Sequence, residues 1–126
     1  MADDWLKMSA AALGRGIGAG QIDPVELTEA FLEAIAASPE RDRIYARVSS
    51  ARARAEAAGA RARGGMRRGA LDGVPISWKD LFDTAGIGTE AGSKLLAGRT
   101  PEQDARVLVH ATRAGLVCLG KTHMTE

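Results

Sequence analysis

Hydrophobic and polar positions follow a helical period in the first half of the chain. The clearest case is the stretch "DPVELTEAFLEAIAASP", where every third or fourth residue is apolar. Asp23 suits the N-cap of this helix, Pro24 its first turn, and Pro39 lies just beyond its end. The apolar face consists of Leu27, Ala30, Phe31, Ala34 and Ile35. The pattern therefore predicts a helix between Asp23 and Ser38.

The rest of the first half is predicted from weaker patterns. Residues 3–18 have apolar residues at helical spacing, but the glycines from Gly14 to Gly20 weaken that helix. Residues 44–48, "IYARV", are typical of a short strand. The alanine- and arginine-rich stretch from Ser49 predicts a helix that stops at Gly64 and Gly65.

The period changes after Gly73. In "GVPISWKDLF", Val74, Ile76 and Trp78 alternate with other residues, which predicts a strand. A glycine-rich loop, a short helical turn at "SKLLAG" and a helix in "TPEQDARVLVHATRAG" follow, before the apolar strand "LVCLGK". The last helix is expected to bury Val107, Leu108 and Ala111 and to end at Gly115. Strand, helix and apolar strand in this order predict a parallel βαβ unit in an α/β fold.

Composition makes this one globular domain. The 126 residues are 45% hydrophobic with a formal net charge of +1, which suits a folded chain. We divide the domain into N-terminal helices (1–38), an arginine-rich helix with its connections (39–70) and a strand-helix-strand segment (71–126).

Few residues are available for cofactor or metal chemistry. Cys118 is the single cysteine and lies in an apolar run, so we interpret it as a small buried hydrophobe. His110 and His123 are the only histidines and lie on separate segments, so neither a metal site nor a cofactor is expected. With no secretory signal and no membrane-spanning run, the default prediction is a cytoplasmic protein without a membrane partner.

An arginine-rich segment leaves a second function open. Between Arg41 and Arg68 nine arginines stand against Asp42 and Glu56, a charge run that nucleic acid could bind. Only Tyr45 is interleaved for base stacking, and no recognition motif accompanies the charge. We therefore favour a solvated helix over a nucleic-acid-binding module.

Lys79 is the unusual residue of the predicted strand. If Val74, Ile76 and Trp78 face one side, then Ser77 and Lys79 face the other, which is also largely dry in a sheet covered on both faces. A lysine there must pair, reach water or lose its proton, because desolvation disfavours the charged form. Taken alone, pairing or surface exposure is the simpler interpretation.

The order of motifs around Lys79 resembles the amidase signature family. The matching features are "GVPI", then "KD", the loop "AGIGTEAGS", the "DARV" helix, "AGLVCLGKT" and a final "MTE". The resemblance extends over 71–126, more loosely over "IDPVELTEAFLEAI", and little over 38–70. It implies a mixed β-sheet sandwiched by α-helices, of which this chain would be the N-terminal part.

The resemblance implies hydrolysis of C–N amide bonds by a Ser-cis-Ser-Lys triad. Lys79 matches the triad lysine, the general base, which would act on the nucleophile through a bridging serine. No glycine- and serine-rich segment for the two serines is present, and none of the chain's own serines is assigned that role. We therefore expect this chain to be inactive alone, with Lys79 losing its proton only in a complete site.

Two positions depart from the family pattern. Trp78 precedes the lysine where a smaller residue is usual, and His123 stands where asparagine is common. His123 either lines the substrate region or is a loop residue without a role.

Several alternatives therefore remain open. The chain could be an inactive remnant or assembly piece, or the amidase-type subunit of a tRNA-dependent amidotransferase, although a free-standing amidase is favoured. The substrate class is a small-molecule amide. The two C-terminal strands are expected to leave unpaired edges, and "LVCLG" is too apolar for a solvated edge. We therefore expect the missing C-terminal part as a second chain, or a homo-oligomer.

Overall fold

The computed structural model describes residues 2–124 of the chain. Its helices are α1 (Ala2–Trp5), α2 (Ala10–Gly18), α3 (Pro24–Ala37), α4 (Arg41–Ile44), α5 (Ser50–Arg63) and α6 (Arg106–Arg113). Its strands are β1 (Tyr45–Val48), β2 (Pro75–Lys79) and β3 (Val117–Thr122). A short 3-10 helix at Lys94–Leu96 lies in the long connection between β2 and α6.

The three strands form one mixed sheet in the order β1-β3-β2. Strand β2 runs parallel to β3, with Trp78 opposite Lys121 and Lys79 opposite Thr122. Strand β1 runs antiparallel to β3 on its other side. The predicted parallel strand-helix-strand unit and the α/β fold class are both confirmed.

Strand β3 lies in the centre of this sheet, which corrects the expectation that both C-terminal strands leave unpaired edges. Val117, Cys118 and Leu119 are all buried, and β1 pairs along the side of β3 that β2 leaves open. Gly120 permits this approach, because a Cβ atom there would lie 2.4 Å from the carbonyl oxygen of Arg47. The apolar "LVCLG" run is therefore protected within the chain itself.

Helices α3 and α5 pack against the sheet. Leu32 of α3 joins Ala53 and Ala57 of α5 in a core cluster with Val117 and Leu119 of β3. Three fully or nearly fully buried alanines, Ala53, Ala57 and Ala60, let α5 approach closely. Burial of the larger apolar residues stabilises this layer by roughly 1.5–3 kcal/mol per side chain.

The predicted boundaries of α3 and α5 are confirmed. The Asp23 carboxylate accepts a hydrogen bond from the backbone N–H of Val25 at 3.2 Å, as expected for an N-cap. Helix α3 ends at Ala37, before Pro39, and α5 ends where Gly64 takes a positive φ of 54°. The one-turn helix α4 ahead of β1 was not predicted, because its residues are all polar except the last.

The N-terminal helix prediction is only partly right. Ser9 starts a new helix, α2, by accepting a hydrogen bond from the N–H of Ala12 at 3.1 Å, so residues 3–18 are not one helix. The glycines do not break α2. At Gly14 a Cβ atom would lie 2.1 Å from the carbonyl oxygen of Ala70, so the helix needs a glycine there for close packing.

Helix α6 begins later than predicted and shows a different apolar face. It starts at Arg106, and Leu108 is fully buried, whereas Val107 is 44% exposed. Including Val107 in the buried stripe was therefore wrong. The helix starts late because the side chain of Asp104 is held by ion pairing and hydrogen bonding before the first turn.

A half-buried ion pair joins the start of α6 to α5. The Arg52 guanidinium donates to both carboxylate oxygens of Asp104, at 2.8 and 2.9 Å, and to Thr112 at 3.1 Å. The second role of Asp104 is to accept the backbone N–H of Ala85 at 2.8 Å. Hydrogen bonding from Arg52 holds the pKa of Asp104 below its ordinary value, so the carboxylate stays charged at neutral pH.

We predict that Asp104→Ala lowers the free energy of unfolding by about 2–3 kcal/mol, because it removes charge-assisted bonds that are shielded from water. The matched control is Asp83→Ala, which removes an equally bidentate pair with Arg99 that is much more exposed. That variant is expected to cost only a small fraction as much. Chemical denaturation of both variants measures the difference, and equal losses would contradict the prediction.

Candidate active site at the end of strand β2

Lys79 is the last residue of β2. Its backbone pairs with β3 opposite Thr122, and its side chain is exposed. The backbone turns immediately afterwards, with the N–H of Phe82 donating to the carbonyl oxygen of Lys79 at 3.1 Å. The carboxyl end of a parallel strand is where α/β proteins commonly place functional groups. Lys79 therefore reaches solvent at the end of a well-fixed strand.

Asp80, the next residue, is buried and tightly held. Its N–H donates to the carbonyl oxygen of Thr122 at 2.9 Å, and its own carbonyl oxygen accepts from the N–H of Ala91 at 2.9 Å. Its carboxylate also accepts the backbone N–H of Glu90 at 3.3 Å. Because Asp80 is 4% exposed and Lys79 is exposed, the two neighbouring side chains point to different sides of the backbone.

Lys121 is the buried lysine of this region. Its side chain is 0% exposed, its ammonium nitrogen donates to Thr89 Oγ1 at 2.8 Å, and it lies 3.5 Å from Asp80 Oδ1. Burial lowers the pKa of Lys121, while the Asp80 carboxylate acts in the opposite direction. Dry surroundings were expected for Lys79 from the sequence, and the structure provides them for Lys121.

The loop that closes over this pair contains a strained residue. Ala91 has a positive φ of 50°, in the left-handed region that residues with a Cβ atom rarely adopt. This conformation directs the Ala91 N–H to the carbonyl oxygen of Asp80. The strain is thus located at the contact that secures Asp80, as is common around functional sites.

A cleft of about 570 Å³ is lined in part by Asp80. Charged and polar side chains line much of it, among them Arg47, Asp80, Glu90, Ser93 and His123. Arg47 and Glu90 form an ion pair at 2.9 Å beside the cleft. His123, for which two roles were left open, lines this cleft, and its ring nitrogen Nε2 contacts the Asp42 carbonyl oxygen at 2.8 Å. Lys79 is not among the lining residues.

Five of the six serines make side-chain hydrogen bonds that serve structural contacts. Ser9 caps α2, Ser38 accepts the N–H of Glu40, and Ser93 accepts the N–H of Leu95. Ser49 is buried and donates to the carbonyl oxygen of Cys118 at 2.9 Å, and Ser77 shares a 2.7 Å hydrogen bond with Tyr45. That none of the chain's serines is the nucleophile stays a prediction from the sequence.

The arginine-rich segment is largely neutralised by its contacts. Seven of its nine arginines contact carboxylates, and the remaining two, Arg67 and Arg68, donate to carbonyl oxygens. The carboxylate-bound ones are Arg41, Arg43, Arg47, Arg52, Arg54, Arg61 and Arg63. Acids from outside the segment supply most of the partners, so it presents little uncompensated charge to a nucleic acid.

Other kinds of site find little support in residues 2–124. No cluster of three or more histidine, cysteine, aspartate or glutamate side chains there could hold a metal ion. Within the same range, no helix is long and apolar enough to cross a membrane. Cys118 is buried as predicted, and desolvation raises the pKa of its thiol.

Sequence reasoning missed Lys121, Thr89 and the role of Asp80. One signal was available: Lys121 follows directly on the apolar run "LVCLG", so it raised the same question as Lys79. The partner Thr89 lies 32 residues away in a glycine-rich loop, and no local pattern points to it.

Comparison with known proteins agrees with this α/β arrangement. The family model described as Amidase matches residues 26–126, and the chain belongs to this family. The resemblance of its motifs to the amidase signature family is thereby confirmed.

Relatives and solved structures of this family align with nearly the whole chain. It is 42% identical to a glutamyl-tRNA(Gln) amidotransferase subunit of Anaeromyxobacter sp. (strain K), over 99% of this chain and 26% of that protein. The solved peptide amidase from Stenotrophomonas maltophilia is 36% identical with a TM-score of 0.82, over 91% of this chain and 24% of that one. The present chain thus spans about a quarter of the length of the relatives that it matches.

A third match comes from a protein complex. One solved structure is an inhibitor-bound vestigial protein complex, described as revealing the evolutionary origins of an s-triazine catabolic enzyme. A chain of that complex is 30% identical to the present chain, with a TM-score of 0.85. The alignment covers 94% of the present chain and 27% of the other. Relatives of this chain therefore include an amidotransferase subunit and a chain from a protein complex.

We predict that Ala91→Gly stabilises the protein by about 0.5–1 kcal/mol. A residue with a Cβ atom in the left-handed conformation costs about 1–2 kcal/mol, and glycine removes this strain. Glycine also makes the unfolded chain more flexible, which offsets about 0.4–1 kcal/mol of the gain in stability. The matched control is Ala97→Gly in the same connection, where φ is −57° and no such strain exists. This control is expected to destabilise, so denaturation midpoints that move in the same direction for both variants would refute the prediction.

Proposed function

We propose that this chain carries the general base of an amide-hydrolysing enzyme and that Lys79 is that base. The observation that carries the proposal is the position of Lys79: it is exposed at the carboxyl end of a parallel strand, directly before a buried, firmly held aspartate. A lysine placed in this way has a fixed backbone and a side chain on the exposed surface, at the strand end where α/β proteins commonly place functional groups. Membership of the amidase family supports the same assignment.

The chemistry assigned to Lys79 is a proton transfer. In its neutral form the amine accepts a proton through a bridging serine, as the nucleophilic serine oxygen attacks the amide carbonyl carbon. The proton then goes to the departing nitrogen as the C–N bond breaks and an ester to the enzyme remains. Water hydrolyses that ester and regenerates the serine. Both serines would come from protein sequence other than the present chain, so this chain alone is expected to be inactive.

Substrate, partners and location are parts of this proposal. A small-molecule amide is the proposed substrate class. The remaining catalytic part would be supplied by further sequence, by a second chain or by another copy. The cytoplasmic location stays a prediction from the sequence.

The test measures serine reactivity, because the amide substrate is unidentified. A fluorophosphonate ester reacts when the serine oxygen bonds to phosphorus, fluoride leaves and the base takes the serine proton. In the longest natural product of the gene, Lys79→Ala should slow this labelling by about 10²–10⁴-fold, the range for a general base. The control is Lys7→Ala, an exposed lysine in the N-terminal region, which should label like the wild type.

Three outcomes would contradict the proposal. Unchanged labelling of Lys79→Ala would remove this lysine as the base. No labelling of the wild-type protein would favour the inactive remnant or assembly piece. Salt-dependent nucleic-acid binding without labelling would favour the arginine-rich binding module.

A second candidate function is the ammonia-releasing subunit of a tRNA-dependent amidotransferase. The glutamyl-tRNA(Gln) amidotransferase subunit shows 42% identity, against 36% for the peptide amidase, although the sequence alone favoured a free-standing enzyme. We predict that ammonia release from glutamine by the natural protein needs co-purified partner subunits if this candidate holds. Hydrolysis of a C-amidated dipeptide by the protein alone would instead support the free-standing amidase.

A further inference from the structure

Lys121 is held in a position that stability alone does not explain. Its ammonium group is completely buried, with a hydroxyl at 2.8 Å and a carboxylate at 3.5 Å as partners. Removing a charge from water costs several kcal/mol, and a buried ion pair often stabilises less than apolar residues of the same size. A methionine could fill the same space without that cost. The buried charge therefore calls for a role besides packing.

The contacts of Lys121 converge on the residue after Lys79. Lys121 faces the Asp80 carboxylate, while Thr89, its hydrogen-bond acceptor, belongs to the loop that also binds Asp80. The backbone of Asp80 is bonded on one side to Thr122 of β3 and on the other to Ala91 of the loop. Lys121 thus ties together β3, the end of β2 and the loop.

This arrangement also controls the charge beside Lys79. An unpaired carboxylate next to a lysine favours the protonated amine, which is useless as a base. The Asp80 carboxylate instead faces the Lys121 ammonium, on the buried side of the backbone, whereas Lys79 is on the exposed side. The other ionisable groups that line the cleft at Asp80 are Arg47, Glu90, Lys94 and His123, and Arg47 is paired with Glu90.

We propose that Lys121 is a positioning residue for the Lys79 base: by pairing with Asp80, it fixes the end of β2 and keeps the Asp80 charge from holding Lys79 protonated. This inference rests on the proposed function of Lys79. Lys121 acts through Asp80 and touches neither the substrate nor the reacting atoms.

The test compares three variants of the longest natural gene product. Lys121→Met removes the ammonium group at similar volume. Lys121→Met combined with Asp80→Asn removes both charges. Thr89→Val leaves both charges and removes only the hydroxyl that accepts a hydrogen bond from Lys121. This variant replaces Lys121→Met in the test if Lys121→Met does not fold.

The main measurement is the rate of fluorophosphonate labelling as a function of pH. For Lys121→Met we expect the limiting rate to fall about 10–100-fold and the acid limb to move up by about one pH unit, because the carboxylate then favours the Lys79 ammonium. In the double variant the acid limb should return to the wild-type position. A purely structural role would reduce the amount of reactive enzyme but leave the acid limb unchanged in every variant.

A second measurement does not need serine activity. Trace acetic anhydride modifies only neutral amines, and the chain contains four lysines, Lys7, Lys79, Lys94 and Lys121. Mass spectrometry gives the acetylation of Lys79 relative to Lys7 at a fixed pH. This ratio should fall several-fold in Lys121→Met, recover in the double variant, and fall less in Thr89→Val.

The outcomes separate this inference from the proposed function. If Lys79→Ala abolishes labelling but the Lys121 variants keep the wild-type rate and acid limb, the inference is wrong and the function stands. If the wild-type protein does not label, the function fails, and the acetylation ratio still decides whether Lys121 controls Lys79. An unchanged ratio in Lys121→Met, or in Thr89→Val where Lys121→Met does not fold, overturns the inference.

Discussion

Strand β3 is the element on which the rest of the structure depends. Its residues are buried almost without interruption, and it hydrogen-bonds β1 on one side and β2 on the other. Helices α3 and α5 cover its apolar side chains through Leu32 and the small alanines of α5. An apolar strand of this kind is stable only in the middle of a sheet, because at an edge its open backbone groups would invite association. The backbone of Lys79 is fixed by the pairing of β2 with β3.

Near its end, strand β3 also contains a charged residue, Lys121. After Val117, Cys118 and Leu119, the chain places Lys121 in a fully buried position and matches it with Asp80 and Thr89. A buried ion pair of this kind is a poor source of stability but a precise constraint on geometry, since breaking it leaves a charge without compensation. This buried pair lies next to the exposed Lys79, for which we propose the role of general base.

Charge pairing also explains why the arginine-rich segment does not form a strongly basic surface. A run of nine arginines suggested a basic surface, but acids from α3, from the β2–α6 connection and from the segment's surroundings bind most of them. Arg52 with Asp104 and Arg63 with Asp72 are among the least exposed of these pairs, and they join α5 to the β2–α6 connection and to the segment before β2. Several of these arginines thus contribute to tertiary structure, which the sequence did not indicate because partners such as Asp104 and Glu29 lie 52 and 25 residues away along the chain.

The sequence by itself determined the local elements and the family. The cap and apolar stripe of α3, the alanine-rich α5, the parallel β2–α6–β3 unit and the motifs around Lys79 are all recorded in short-range patterns, because helix and strand periods depend on neighbouring residues. Only the tertiary structure decided that β1 inserts beside β3, that Val107 faces solvent, and that Lys121 rather than Lys79 is the buried lysine. Whether a lysine is buried depends on a loop folding over it, and Thr89 reaches Lys121 across 32 residues of sequence. A local pattern contains no record of such a contact.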